Sequence, residues 1–377
     1  MTRTLLPSSG ASANEEATGA CIGRLFAFGA GVLSLAACSS GTPSTSPATE
    51  PVVELDGRAI GTTWSLLVVD PEEDANPDAL RSLVEEAVAR IDLAASNWRE
   101  DSEIAAIDAL AVGEELSISE DLSTILNQAL LVHLRSEGAF DPTVGPLVAA
   151  YGFGAGASEE PPTEAELDAA AARLGFDSFD WNLETLTRTR ADVSLDLSGV
   201  AKGYAVDAVA AALLRADETR FLIEIGGEIR AQGERPGGGP WRLGIFEPIE
   251  SRAIHGRIEL TGGALATSGD YRAFRDLPDG TRVSHTIDPR IGRVAASGVA
   301  SATVVAPLCV HADAYATALM VLDVEEGLEL VESLEDVEAY LLVHAGDGFE
   351  PRASSGFPTV EPLPDERTAP EAPAGER

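Results

Sequence analysis

Lysine is almost missing from this chain: Lys202 stands alone against 25 arginines and 62 acidic side chains, and the formal net charge is −36. A surface this acidic repels phosphate backbones and anionic headgroups, which excludes recruitment to nucleic acid by bulk electrostatics. Cysteine is nearly as scarce. Cys21, Cys38 and Cys309 cannot build a disulfide framework, and five scattered histidines add no Cys/His zinc cluster, so any metal must be held mainly by oxygen. Cys309 lies in the apolar run 304–310 and reads as a small buried hydrophobe. What remains is ample: 377 residues, 45% of them hydrophobic, enough for the core of one large domain or two smaller ones.

Residues 25–37 (LFAFGAGVLSLAA) follow Arg24 and are too few to span a bilayer, but they suit the apolar region of a signal peptide. They end in Leu35-Ala36-Ala37-Cys38, then Ser39-Ser40-Gly41, which resembles a bacterial lipobox with Cys38 as the diacylated residue. Two acyl chains would make a stable anchor. The expected organisation is a signal peptide over 1–37, a Ser/Thr/Pro tether over 38–51, a folded body over 52–352 and a disordered Pro/Glu-rich tail over 353–377. The anchor would put the body at the cell envelope, on the outer face of the inner or plasma membrane.

Within the body, apolar spacing predicts helices over 78–94, 122–137, 164–174, 200–214 and 312–321. Strands are expected over 59–69, 193–197, 221–232, 241–246, 255–260, 283–288 and 300–305. The mixture lacks a steady βαβ rhythm and predicts an α+β fold.

The lone Lys202 lies in Asp196-Leu197-Ser198-Gly199-Val200-Ala201-Lys202-Gly203-Tyr204, where a strand is expected to meet a helix. Free N–H groups there, with a compact ammonium, suit a phosphate; Asp207, a turn and a half on, could be a simple ion-pair partner. In His311-Ala312-Asp313-Ala314-Tyr315-Ala316-Thr317, the i, i+4 spacing stacks Asp313 and Thr317 on one helix face, the oxygens a hard divalent cation takes, although such a pair also serves as an N-cap. His285, in Ser284-His285-Thr286-Ile287-Asp288-Pro289, is the histidine with several polar neighbours and suits a general base or a structural role equally. Residues 265–272 (LATSGDYR) read as a small-residue turn carrying the Thr267 hydroxyl. Trp64 in Gly61-Thr62-Thr63-Trp64 and Trp98 in Ser96-Asn97-Trp98 stand beside small polar residues, as they would facing a planar ligand. Asp141 is the carboxylate of a rigid loop, Gly138-Ala139-Phe140-Asp141-Pro142-Thr143-Val144-Gly145-Pro146, and Ile225-Gly226-Gly227-Glu228 pairs two glycines for close backbone approach.

Taken in order over roughly 52–350, these eight segments resemble the ApbE family, the FAD:protein FMN transferases. The resemblance implies an α+β fold of mixed, largely antiparallel sheets with packed helices and an FAD site between subdomains. It implies transfer of FMN from FAD to a Thr or Ser hydroxyl of a target flavoprotein, with AMP released and Mg²⁺ required. By the same likeness, Asp313, Thr317 and the Gly199 carbonyl hold the metal. Trp64, Ser96, Asn97, Trp98, Asp141, Asp196, Lys202, Thr267 and Ile287 line the FAD site, and His285 is the base. Two positions depart from the usual pattern: Glu228 stands where Asp is commoner, and Ser198 precedes Gly199 where many members have Gly-Gly. Water in place of the acceptor would make the same site an FAD pyrophosphatase. A non-catalytic flavin-binding lipoprotein would need a pocket but no cation ligands.

Overall fold

The computed structural model describes residues 50–72, 76–153, 160–249, 253–270, 274–276, 282–346 and 348–362. The signal, Cys38, nearly all of the tether and the tail beyond 362 lie outside the described residues, as do Tyr271 and Arg272.

One eight-stranded sheet organises the body, built from β1 (Val52–Ala59), β2 (Thr62–Val69), β3 (Phe221–Ile225), β4 (Glu228–Gln232), β5 (Gly262–Gly269), β6 (Val299–Ala306), β7 (Glu338–Ala345) and β8 (Gly348–Ala353). Spatial order follows chain order and every pairing is antiparallel, so the helices are insertions into a meander. Between β2 and β3 come α1 (Pro77–Ala95), α2 (Glu120–Arg135) and α3 (Ala201–Arg215); between β6 and β7 come α4 (Cys309–Val321) and α5 (Val324–Glu332). The hairpin Trp241–Phe246/Ile254–Leu260 forms a separate two-stranded piece.

Period-2 alternation divides the sheet's side chains between two cores. Trp64, Leu66, Phe221, Ile223, Ala264, Ala266, Ala339 and Leu341 face the helices, whereas Leu222, Leu265, Tyr340 and Leu342 meet Trp241, Leu243 and Ile258 of the extra hairpin. Both faces are covered, which is why several strands read as almost continuous apolar runs. Polar caps start the amphipathic helices: Asn76 Oδ1 accepts from Ala79 N at 2.8 Å and Ser119 Oγ from Leu122 N at 3.1 Å. The helix α4 is buried on nearly every side, with Ala312, Ala314, Ala316 and Ala318 keeping it slim enough to lie between sheet and helices.

The α+β class stands, and the structure revises several boundaries. The apolar stretch 59–69 is the second arm of a hairpin whose turn is Ile60-Gly61, both at positive φ (48° and 69°). The run 221–232 is likewise two strands, bent at Gly226-Gly227. Residues 193–197 form no strand but bury alternate apolar side chains, with Asp196 N donating to Pro142 O at 2.6 Å. The expected turn over 265–272 is, as far as Gly269, part of β5, where Ala264 and Ala266 face the helices and α4 packs directly on the strand. The expected strand 283–288 is broken into Arg282–Ser284 and Ile287–Asp288.

Both ends of the body reach further than composition implied. Glu50 is ion-paired with Arg220 and accepts from Gly237 N at 3.0 Å. Residues 354–361, assigned above to the tail, are packed: Ser354 is buried and donates to Glu338, Phe357 and Val360 cover the second core, and Glu361 bridges to Arg257.

Candidate active site

The first turn of α3 exists because Leu197-Ser198-Gly199-Val200 folds tightly, Ala201 N donating to Leu197 O at 2.8 Å. That turn puts Lys202 and the Gly203 N–H at the positive end of the helix. The anion they meet is the chain's own: Asp313 of α4 accepts from Gly203 N at 2.9 Å, and Lys202 Nζ lies 3.3 Å from Asp313 Oδ1. Across the same ammonium, 2.9 Å away, stands Glu228 Oε1 at the start of β4. The two carboxylates are 2% and 3% exposed, and they meet across an ammonium whose side chain is 25% exposed.

One turn after Asp313, the Thr317 hydroxyl donates to Asp313 O at 3.2 Å, leaving its lone pairs for another partner. Gly199 faces it so closely that a Cβ there would stand 3.2 Å from both Thr317 Oγ1 and Phe140 Cε2. Asp313 is therefore no N-cap but a buried carboxylate beside a hydroxyl and a glycine backbone.

A second group adjoins through the same turn. Asn97 Nδ2 donates to Leu195 O at 2.6 Å, and Asp196 Oδ1 accepts from Ser198 N at 3.0 Å. Asp141 stabilises its own loop, accepting from Thr143 N and Oγ1 at 2.7 and 2.6 Å. Ser96 ends α1 and accepts from Trp98 N at 3.3 Å, while the Trp98 ring is 78% exposed.

Other expected site residues are engaged elsewhere. Trp64 is 1% exposed; its indole lies on Gly57, under the Arg81 guanidinium at 5.3 Å, and offers no face to a ligand. Ile287 is packed with Leu147, Tyr151 and Leu167. Thr267 is hydrogen-bonded at 2.9 Å to Thr303 on the neighbouring strand. His285 stands edge-on to Phe153, with ring centroids 6.3 Å apart. Its neighbours Ser284 and Thr286 line a cleft of about 460 Å³ with Asp270, Met320 and His344.

Glu228 is the residue sequence reasoning passed over, having registered only as an unusual acid after two glycines. Asp207 is an ion-pair partner as expected, but of Arg230 at 2.5 Å and not of Lys202, and it also accepts from Cys309 N and Val310 N at 3.0 and 2.9 Å. Burial raises its pKa against those donors. Burial also pushes the Cys309 thiol well up, in keeping with a small hydrophobe, and holds the His311 imidazole below its usual value. Burial, with the Asp121 carboxylate beside it, raises Tyr204 to about 12.

Among the described residues, no three His, Cys, Asp or Glu side chains are grouped to hold a metal. A cation here would draw on mixed oxygens, one carboxylate with a hydroxyl and a backbone carbonyl, a donor set that suits Mg²⁺ rather than zinc.

Two buried carboxylates gathered around one ammonium, inside an α+β body, form the kind of charge cluster that active sites use. The chain belongs to the ApbE family, whose model matches residues 60–341. It is 36% identical over 307 residues to the FAD:protein FMN transferase of Vibrio cholerae, covering 81% of this chain and 91% of that protein. Among solved structures, the flavin transferase ApbE from Vibrio cholerae superposes with a TM-score of 0.74 at 34% identity, covering 81% of this chain and 98% of that one. The apo form of Pseudomonas stutzeri flavinyl transferase ApbE gives 0.75 at 32%, covering 82% and 97%.

Proposed function

We propose that this enzyme transfers the FMN half of FAD to a Thr or Ser hydroxyl of a target flavoprotein, releasing AMP. The observation that carries the reading is the Lys202 ammonium held between Glu228 and Asp313 at 2.9 and 3.3 Å. Counting those three groups alone, the cluster has one negative charge too many, so it calls for a cation before a pyrophosphate can approach. Asp313, Thr317 and the Gly199 carbonyl would hold Mg²⁺, which supplies charge neutralisation at the bridging phosphates. Lys202 leans on the same phosphates, and Asn97, Asp196 and Trp98 line the route to the nucleotide. The acceptor oxygen attacks the phosphorus on the FMN side, the bond from that phosphorus to the bridging oxygen breaks, and AMP leaves with the electron pair. The family likeness alone supports His285 as the group that would take the hydroxyl proton. Little covalent chemistry falls to the protein, whose work is positioning and neutralisation.

The test is in-gel flavin fluorescence of an acceptor protein incubated with this enzyme, FAD and Mg²⁺, with AMP measured in parallel. Fluorescent acceptor with matching AMP supports the transferase; AMP formed equally without acceptor makes the chain a pyrophosphatase instead. The same proposal places the body outside the cytoplasmic membrane on a lipid at Cys38. Among the described residues no helix is long and apolar enough to cross a membrane. Metabolic labelling with a radioactive fatty acid should mark the wild type and spare Cys38→Ser; label retained in the variant removes the anchor from Cys38.

A further inference from the structure

The three elements that carry Lys202, Glu228 and Asp313 are joined a second time, one step further along each. Five residues on in α3, Asp207 takes Arg230 of β4 at 2.5 Å and the first two N–H groups of α4, Cys309 and Val310, at 3.0 and 2.9 Å. The spacing matches: five helical residues rise about 7.5 Å, two strand residues about 6.8 Å, and Cys309–Val310 lie one turn before Asp313. Along these three backbones the chain builds two rungs. The rung of Lys202, Glu228 and Asp313 holds more acid than base. The rung of Asp207 and Arg230 is balanced, and its carboxylate also meets the positive end of α4. The helix cannot cap itself, because its N-cap residue, Leu308, has no side-chain oxygen and makes no capping bond.

We infer that Asp207 is a positioning residue for the cation site: acting from α3, it fixes the axial position of α4, and thereby sets Asp313 and Thr317 against Gly199. The inference rests on reading Asp313 and Thr317 as cation ligands. An imbalanced rung has a use for a ligand and a balanced one does not, which separates the roles of the two. Freed at its N-terminus, α4 can slide or fray by a fraction of a turn, and Thr317 then parts from Gly199, which it approaches so closely that even a Cβ there would stand 3.2 Å from the hydroxyl.

The test measures Mn²⁺ binding to the purified full chain by electron paramagnetic resonance, independently of catalysis. Asp207→Asn keeps one oxygen for α4 and loses the bidentate cap; its Mn²⁺ Kd should rise about tenfold or more, the scale on which residues supporting a metal ligand act. Arg230→Met removes the ion pair and leaves the cap, and its Kd should stay within about twofold of wild type even where its Tm falls. Should Asp207→Asn fail to fold, the Asp207→Asn/Arg230→Met double variant, free of an unmatched buried cation, replaces it. A further readout is the Mg²⁺ concentration for half-maximal flavin transfer, which should rise in Asp207→Asn by about the same factor as the Mn²⁺ Kd. An unchanged Kd in Asp207→Asn overturns the inference, as does equal weakening in both variants, which would make the rung merely structural. Wild type that binds no Mn²⁺ would instead refute the cation reading beneath it.

Discussion

Gly203→Ala should damage both stability and activity, although helix propensity argues the opposite. In the first turn of a helix, alanine is better than glycine by up to about 1 kcal/mol. Here a Cβ would stand 2.4 Å from the Cys309 carbonyl oxygen, 2.7 Å from its carbon and 2.8 Å from Asp313 Cβ. Two of those atoms are backbone and the third is the root of a buried side chain, so no flexible tip can swing aside. Restoring the 2.4 Å contact to an ordinary 3.4 Å requires α3 and α4 to part by about 1 Å. Overpacking of this kind costs about 1–3 kcal/mol, which outweighs the propensity gain. The same displacement opens the contact between Lys202 and Asp313, and a misplacement near 1 Å is worth about 100-fold in rate. Melting followed by circular dichroism should show a lowered Tm, and initial rates of FMN transfer should fall by about two orders of magnitude. A variant more stable than wild type with undiminished transfer would refute the close approach of the two helices, and the cluster with it.

Lys202→Ala should slow transfer by about 10²–10³ through loss of charge at the phosphates; wild-type turnover would expel Lys202 from the site. Asp313→Ala should abolish activity together with its Mg²⁺ dependence, and metal-dependent turnover at a normal rate would contradict that assignment. Trp98→Ala should raise the KM for FAD by up to about tenfold, the scale of one aromatic stacking contact, and leave Tm unchanged because the ring is solvent-exposed; an unaltered KM would remove it from the flavin route. Burial keeps His311 below its usual pKa, so the unfolded chain takes up that proton first. The stability it contributes is complete above about pH 6.5 and drains as pH falls toward the lowered folded value. Tm measured from pH 7.5 down to 5 should therefore decline less steeply in His311→Gln, and parallel curves would show that other groups set the slope.

The amphipathic helices were legible because their apolar residues recur at 3.6 and their caps are local. The hairpins were not, since Ile60-Gly61 and Gly226-Gly227 interrupt stretches whose alternation carries straight on. Residues 265–269 misled for a physical reason: a strand pressed against a helix needs small side chains, and small side chains imitate a turn. At the site, a single lysine in an arginine-rich chain and an i, i+4 Asp/Thr pair were local signals, and they led to side chains 3.3 Å apart across 111 residues of sequence. Glu228 carries no such signal, because its partner becomes a neighbour only once β4 is laid beside α3. Trp64 was misassigned on its polar neighbours, when the informative residue was Gly57, across the hairpin, whose bare backbone receives the indole.

The segment after β8 works as a buckle. Residues 354–361 cross from the edge of the large sheet to the separate hairpin and fasten there through Glu361 on Arg257, with Val360 so close to Gly256 that a Cβ would stand 2.5 Å from it. Peeling from this side therefore bares Trp241, Ile258 and Tyr340 before any strand beside Lys202 is disturbed. Loss of solubility and loss of catalysis are thus built on opposite faces of one sheet, and damage that begins at the buckle should render the enzyme sticky while it is still competent.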